Sequence, residues 1–108
     1  MPAIDMYEQG NNLVVEAELP GIPRDAVKIT CTDGMLTIQG ETKKEEEEKR
    51  EGYYRMERRY GSFYRTVALP EPVDFDKAKA EFRDGVLKIT LPKAARPEEK
   101  SRTIPITG

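Results

Sequence analysis

The residues that could do chemistry are few, and each lacks the companions that chemistry requires. The chain of 108 residues has no histidine and one cysteine, Cys31, which excludes a Cys/His zinc site and an intrachain disulfide. Its two serines, Ser62 and Ser101, have no histidine base and stand in no G-x-S-x-G turn. No glycine loop is built to cradle a phosphate. Asp74 and Asp76 are spaced like the first ligands of a calcium loop, but Lys77 and Ala78 follow and the sixth position is not glycine. Glu45, Glu46, Glu47 and Glu48 offer carboxylates to a metal, or simply a solvated face. Cys31 falls mid-strand, where an inert buried thiol is expected. The expectation is a protein that is not an enzyme, with no catalytic residue, cofactor or metal.

Two stretches carry binding chemistry instead. At the end of the chain, Ile104-Pro105-Ile106 follows a charged run from Arg96 to Arg102. In extended backbone, residues two apart share a face, so the isoleucines form a pair of apolar knobs. Pro105 cannot continue a helix, and on an edge strand its missing N–H faces away from the partner. This tail reads as a plug, set against a last strand of its own domain or a frayed end. The second stretch interleaves Arg55, Arg58 and Arg59 with Tyr53, Tyr54, Tyr60, Phe63 and Tyr64. That is the composition of a single-strand nucleic-acid platform or of a protein interface. Net charge is −2, from 18 basic and 20 acidic residues, and glutamates adjoin the stretch. A protein interface is therefore expected, with no nucleic-acid partner.

The elements that must position these residues are strands. Residues 13–19 alternate Leu13, Val15, Ala17 and Leu19 against Val14, Glu16 and Glu18, the pattern of a strand with one buried face. Residues 27–32 alternate again, Asp33-Gly34 is a hairpin turn, and residues 35–39 return antiparallel. Residues 79–83, Asp84-Gly85 and residues 86–91 repeat the design. Residues 4–9 could form an edge strand and 63–69 another, while 74–78 allow one helical turn. Residues 41–51 contain no apolar side chain and read as a solvated loop. Seven or eight short strands with almost no helix predict an all-β, two-sheet antiparallel sandwich, immunoglobulin-like in class. One domain spans 1–92, with a long loop at about 41–60, and 93–108 forms a flexible C-terminal extension. No apolar run is long enough for a signal peptide or a membrane span, and a cytoplasmic location without membrane partners is expected.

These segments resemble the small heat-shock proteins built on the α-crystallin domain, of the bacterial and archaeal type. The likeness runs through Ile4-Asp5-Met6-Tyr7-Glu8, Glu18-Leu19-Pro20-Gly21, Asp33-Gly34-Met35-Leu36-Thr37-Ile38-Gln39-Gly40 and Glu57-Arg58-Arg59-Tyr60-Gly61-Ser62-Phe63. It continues through Leu69-Pro70, Asp84-Gly85-Val86-Leu87-Lys88-Ile89-Thr90-Leu91-Pro92-Lys93 and the Ile104-Pro105-Ile106 tail. One departure is that members usually carry a variable apolar arm before the domain, which here begins almost at Met1.

The resemblance implies an ATP-independent holdase for unfolding client proteins, a homodimer that assembles into larger homo-oligomers. It implies that a strand of the long loop crosses to the partner subunit, which assigns Tyr53, Tyr54, Arg55, Met56, Glu57, Arg58 and Arg59 to the dimer interface. It also implies that Ile104, Pro105 and Ile106 anchor one subunit in a groove of another. Val27, Ile29, Cys31, Ala80 and Phe82 would line that groove; their periodicity alone favours ordinary core, and the resemblance reverses that. A β-sandwich adaptor of the co-chaperone type, binding one folded chaperone, is the alternative.

Magnitudes limit what the tail can do. Burying two isoleucines contributes roughly 3 to 6 kcal/mol, against an association cost of about 4 to 15 kcal/mol. One tail binds weakly, and several at once are needed for assembly. Residues 93–103 span up to roughly 36 Å when extended, at about 3.3 Å per residue, enough to reach a neighbour.

Overall fold

The computed structural model describes residues 3–41, 62–94 and 102–108. Nine strands and two single-turn 3₁₀ helices make up the described chain. They run β1 (Ile4–Gln9), β2 (Asn12–Glu18), η1 (Arg24–Ala26), β3 (Val27–Thr32), β4 (Met35–Glu41) and β5 (Ser62–Ala68). Then come η2 (Phe75–Lys77), β6 (Lys79–Arg83), β7 (Val86–Pro92), β8 (Arg102–Thr103) and β9 (Ile106–Thr107). One sheet has the order β1-β2-β7-β6-β9 and the other β5-β4-β3-β8. All pairings are antiparallel except β6 with β9. The all-β two-sheet sandwich expected from the sequence is the fold observed, with more strands than expected because the tail adds two.

Both Asp-Gly pairs turn as their chemistry requires. Asp33 and Gly34 have φ of 50° and 77°, and Asp84 and Gly85 have 51° and 80°. A two-residue hairpin whose twist matches its strands needs positive φ at both centres, which Asp tolerates and Gly adopts freely. The turns fix the register of β3 with β4 and of β6 with β7, and thereby send Val27, Ile29, Cys31, Leu36, Ile38, Leu87, Ile89 and Leu91 to the inner faces. With Leu13, Val15, Ala17, Leu19, Val73 and Phe75 they form one continuous core.

The outer faces follow the charge pattern, with one exception. Asp5, Glu16, Lys88 and Glu81 lie in one cross-strand row, where Lys88 separates two glutamates. Val14, expected on the solvent side, is fully buried. It stands opposite Tyr7 on one side and Thr90 on the other, and the Tyr7 hydroxyl donates to Glu16 Oε2 at 2.8 Å. The tyrosine ring thus lies across the outer face of β2 and roofs Val14.

Two local features hold strand ends in place. Gly40 is paired with Phe63, and a Cβ at Gly40 would meet the Phe63 ring, with Cζ at 2.7 Å, and the Ala26 carbonyl at 3.1 Å. Only glycine lets that ring close over the sheet. Asp74 Oδ1 accepts the Asp76 amide at 3.1 Å and caps η2.

The extension expected from Lys93 onward stays tied to the domain over its first two residues. Val73 and Lys93 form an isolated bridge, and the Ala94 amide donates to the Pro72 carbonyl at 2.9 Å. Lys93 also donates its amide to Asn11 and its Nζ to Glu8 Oε1 at 3.1 Å, with Glu71 Oε2 at 3.5 Å.

Candidate functional site

The chain's own tail fills the seam between β3 and β6. β8 adds to β3 antiparallel, pairing Arg102 with Cys31 and Thr103 with Thr30. The Ile104 amide then donates to the Ile29 carbonyl at 3.0 Å. Past Pro105 the chain changes sheets, and β9 runs parallel to β6 with Ile106 beside Ala80 and Thr107 beside Glu81. Thr107 Oγ1 donates to the Ala80 carbonyl at 3.2 Å. The change of sheet falls at the residue without an N–H, where no ladder donor is lost. Six residues therefore stitch the open side of both sheets.

The two isoleucines sit at different depths. Ile104 is 3% exposed and belongs to the core cluster, whereas Ile106 is half-buried against it. Ile106 completes an inner row of Met6, Val15, Ile89 and Ala80. Pro105 is exposed between them. Full burial of an isoleucine contributes about 1.5 to 3 kcal/mol, so Ile104 is the stronger anchor.

The sequence-derived groove residues all border this tail. Val27, Ile29 and Cys31 on β3 and Ala80 on β6 are buried, and Phe82 is half-buried at the far end of β6. They belong to, or pack on, the same cluster as the interior, so groove floor and core are one surface. Arg24, Asp25 and Lys28 form a charged rim beside a cleft of about 300 Å³ next to the seated tail. Burial pushes the Cys31 thiol up to about 12, so it stays protonated at neutral pH. Among the described residues no group of three His, Cys, Asp or Glu side chains could hold a metal.

Two features of the tail were invisible in the sequence: the Thr107 hydroxyl, which ordinary strand periodicity does not single out, and the terminal Gly108, where a Cβ would meet the Phe82 backbone. The seven interface candidates, Tyr53, Tyr54, Arg55, Met56, Glu57, Arg58 and Arg59, lie outside the described residues, as do the four glutamates 45–48.

The geometry is that of strand addition. Without the tail, β3 and β6 become sheet edges with unpaired N–H and C=O groups beside an apolar seam, which is a template for an extended peptide. The sequence belongs with this arrangement: residues 5–107 match the Hsp20/alpha crystallin family. Heat shock protein 16 of Schizosaccharomyces pombe is 40% identical over 103 residues, covering 94% of this chain and 72% of that protein. Small heat shock protein C2 of Rickettsia felis is 37% identical over 108 residues, covering the whole chain and 69% of that protein. The solved structure of heat shock protein 16.0 from S. pombe superposes with a TM-score of 0.75 at 38% identity, covering 92% of each chain. The chain belongs to the Hsp20/alpha crystallin family of small heat-shock proteins, which are chaperones and not enzymes. Among the described residues no helix is long and apolar enough to cross a membrane.

Proposed function

We propose that this chain is an ATP-independent holdase that captures unfolding proteins and assembles through dimers by inserting its tail in a neighbour's groove. The observation that carries the proposal is the seam between β3 and β6, which accepts an Ile-Pro-Ile strand through backbone pairing on one sheet and then the other. A groove that takes its own tail takes an identical tail from a second copy with the same contacts. Residues 95–101 connect the domain to the anchor, and seven residues span up to about 23 Å at roughly 3.3 Å each, enough to lead out to a neighbour. A strand around residues 53–57 crosses to the partner subunit, and β1, an edge of its sheet among the described residues, is a template for it.

The strength of the anchor sets the mechanism. One deeply buried isoleucine and one half-buried one give a contact that forms and releases, and stable assembly comes from several at once. Release uncovers Val27, Ile29, Cys31, Ala80 and Phe82 together with two strand edges. Unfolded chains expose extended apolar segments of the complementary kind, and binding them prevents aggregation without nucleotide. The cytoplasm is the compartment that suits one unpaired thiol.

The test is light scattering from a heated model client with increasing amounts of the chain. Suppression near stoichiometric ratios is expected, and aggregation unchanged at every ratio would contradict the holdase role. A pull-down that retains a single folded chaperone and no denatured client would instead establish the adaptor.

A further inference from the structure

A strand seated on β3 presents an outward side as well as its inward isoleucines. The register that pairs Cys31 with Arg102 and Thr30 with Thr103 continues through the bond from the Ile104 amide to the Ile29 carbonyl, and so sets Pro105 opposite Lys28. Ile29 and Ile104 are buried, whereas Lys28 and Pro105 are exposed together on the outer face, as strand alternation requires. Both line the cleft of about 300 Å³ beside the tail, with Arg24 and Asp25 at its rim. The charges there are unequally matched. Arg24 Nε has Asp25 Oδ1 at 4.0 Å, but Lys28 has no ion pair among the described residues. The Asp25 side chain is 95% exposed, so water screens it from the cleft. On its other side Lys28 stands opposite Gln39, which is neutral. The tail offers this cation only a proline ring, which has no acceptor.

We infer that Lys28 is a specificity-determining residue of the seam, which favours an extended client segment carrying a carboxylate between two inward aliphatic residues and disfavours one carrying a cation there. Opposite charges directly across a strand pair attract and like charges repel, so the residue facing Lys28 is read by its sign. This deepens the reading of the seam as the protein's binding site, rests on it, and names the class of segment captured. Such segments are common in unfolding β-rich proteins, because a half-buried strand alternates apolar with polar or charged residues. The chain's own tail fills the apolar positions and leaves the charge of Lys28 unmet. It is therefore the weaker occupant, displaced more readily by an acidic client segment than by a basic one with the same apolar pattern.

Amide hydrogen exchange on the full chain tests this, with the residue at position 105 as the probe. Pro105→Glu, Pro105→Gln and Pro105→Lys are each made with Lys28 intact and with Lys28→Glu. The Ile104 amide reports seating through its bond to Ile29, and the β7 amides serve as an internal reference. With Lys28 intact, Ile104 exchange is expected to be about two- to fivefold slower in Pro105→Glu than in Pro105→Gln, and faster by a similar factor in Pro105→Lys. With Lys28→Glu the order should reverse. Equal rates in the three variants would overturn the inference, as would an order that Lys28→Glu leaves unchanged, because the preference would then not belong to Lys28. Client capture does not enter this readout. Equal rates would remove the charge preference and leave the holdase proposal standing, whereas failure to suppress client aggregation would leave these exchange rates as they are.

Discussion

The Ile104 amide donates to the Ile29 carbonyl at 3.0 Å, and this bond makes the C-terminal segment a strand of the domain rather than a loose end. Both side chains are buried in the same core cluster. One hydrogen bond and one isoleucine thus join the tail to the core of the domain.

Replacing Ile104 by alanine removes most of that anchor. Ile→Ala at a buried site costs about 2 to 5 kcal/mol, comparable with the whole seating energy of the tail. The segment 102–107 should lose its exchange protection, while β2 and β7, which are hydrogen-bonded to each other and not to the tail strands, keep theirs. Ile106→Ala should have a smaller effect, because Ile106 is only half-buried. Equal effects from the two substitutions would show that the depth difference is immaterial.

Gly40→Ala should destabilise the domain by about 1 to 3 kcal/mol through overpacking against the Phe63 ring. The double variant Gly40→Ala, Phe63→Ala should lose less than the sum of the single changes, since the clash needs both partners. Urea unfolding of the four proteins measures this coupling. Strict additivity would mean that the ring is not what excludes a side chain at Gly40.

Lys93 makes stability depend on alkaline pH. Its hydrogen bond to Glu8, helped by the nearby Glu71 charge, holds the ammonium above the ordinary lysine value despite some desolvation. A raised value in the folded state means that folding strengthens proton binding. The stabilisation is fully present below the unfolded lysine value of about 10.4 and is lost as pH climbs through the folded value. Lys93→Met should therefore be less stable than wild type at pH 7, with the gap closing as pH rises beyond that window. High salt should also narrow the gap, because the pair is partly exposed. A gap that is constant with pH would remove the ion pair from the account.

Cys31 should resist alkylation in the folded protein. Its thiol is fully buried and pushed up to about 12, so thiolate is scarce at pH 8. Iodoacetamide labelling should be slow in buffer and rapid in urea. Complete labelling of the native protein within minutes would mean that the β3 side of the groove opens far more readily than its packing implies.

The sandwich was legible in the sequence because its determinants are local. Asp33-Gly34 and Asp84-Gly85 announce two hairpins, and alternation on residues 27–32 and 86–91 names the inward faces. Val14 was misassigned for a physical reason: period two distinguishes the faces of a strand but not whether a neighbour covers the outer one. The Tyr7 ring does so only because β1 pairs with β2. The tail was legible as a pair of apolar knobs, and its groove only with the help of the family resemblance, since groove and core present the same alternation. Thr107 and Gly108 were not legible. Their surroundings, the Ala80 carbonyl and the Phe82 backbone, lie more than twenty residues away. The bond of Lys93 to Glu8 spans 85 residues and carries no sequence signal either.

The central claim is that the tail which fills this seam also joins subunits. Native mass spectrometry of the chain beside the Ile104→Ala, Ile106→Ala variant tests it most directly. Species above the dimer are expected for the wild type and a distribution that stops at the dimer for the variant, because the strand exchange proposed near residues 53–57 does not use the tail. Identical distributions for the two proteins would contradict the account and leave the tail as a closure of its own domain alone.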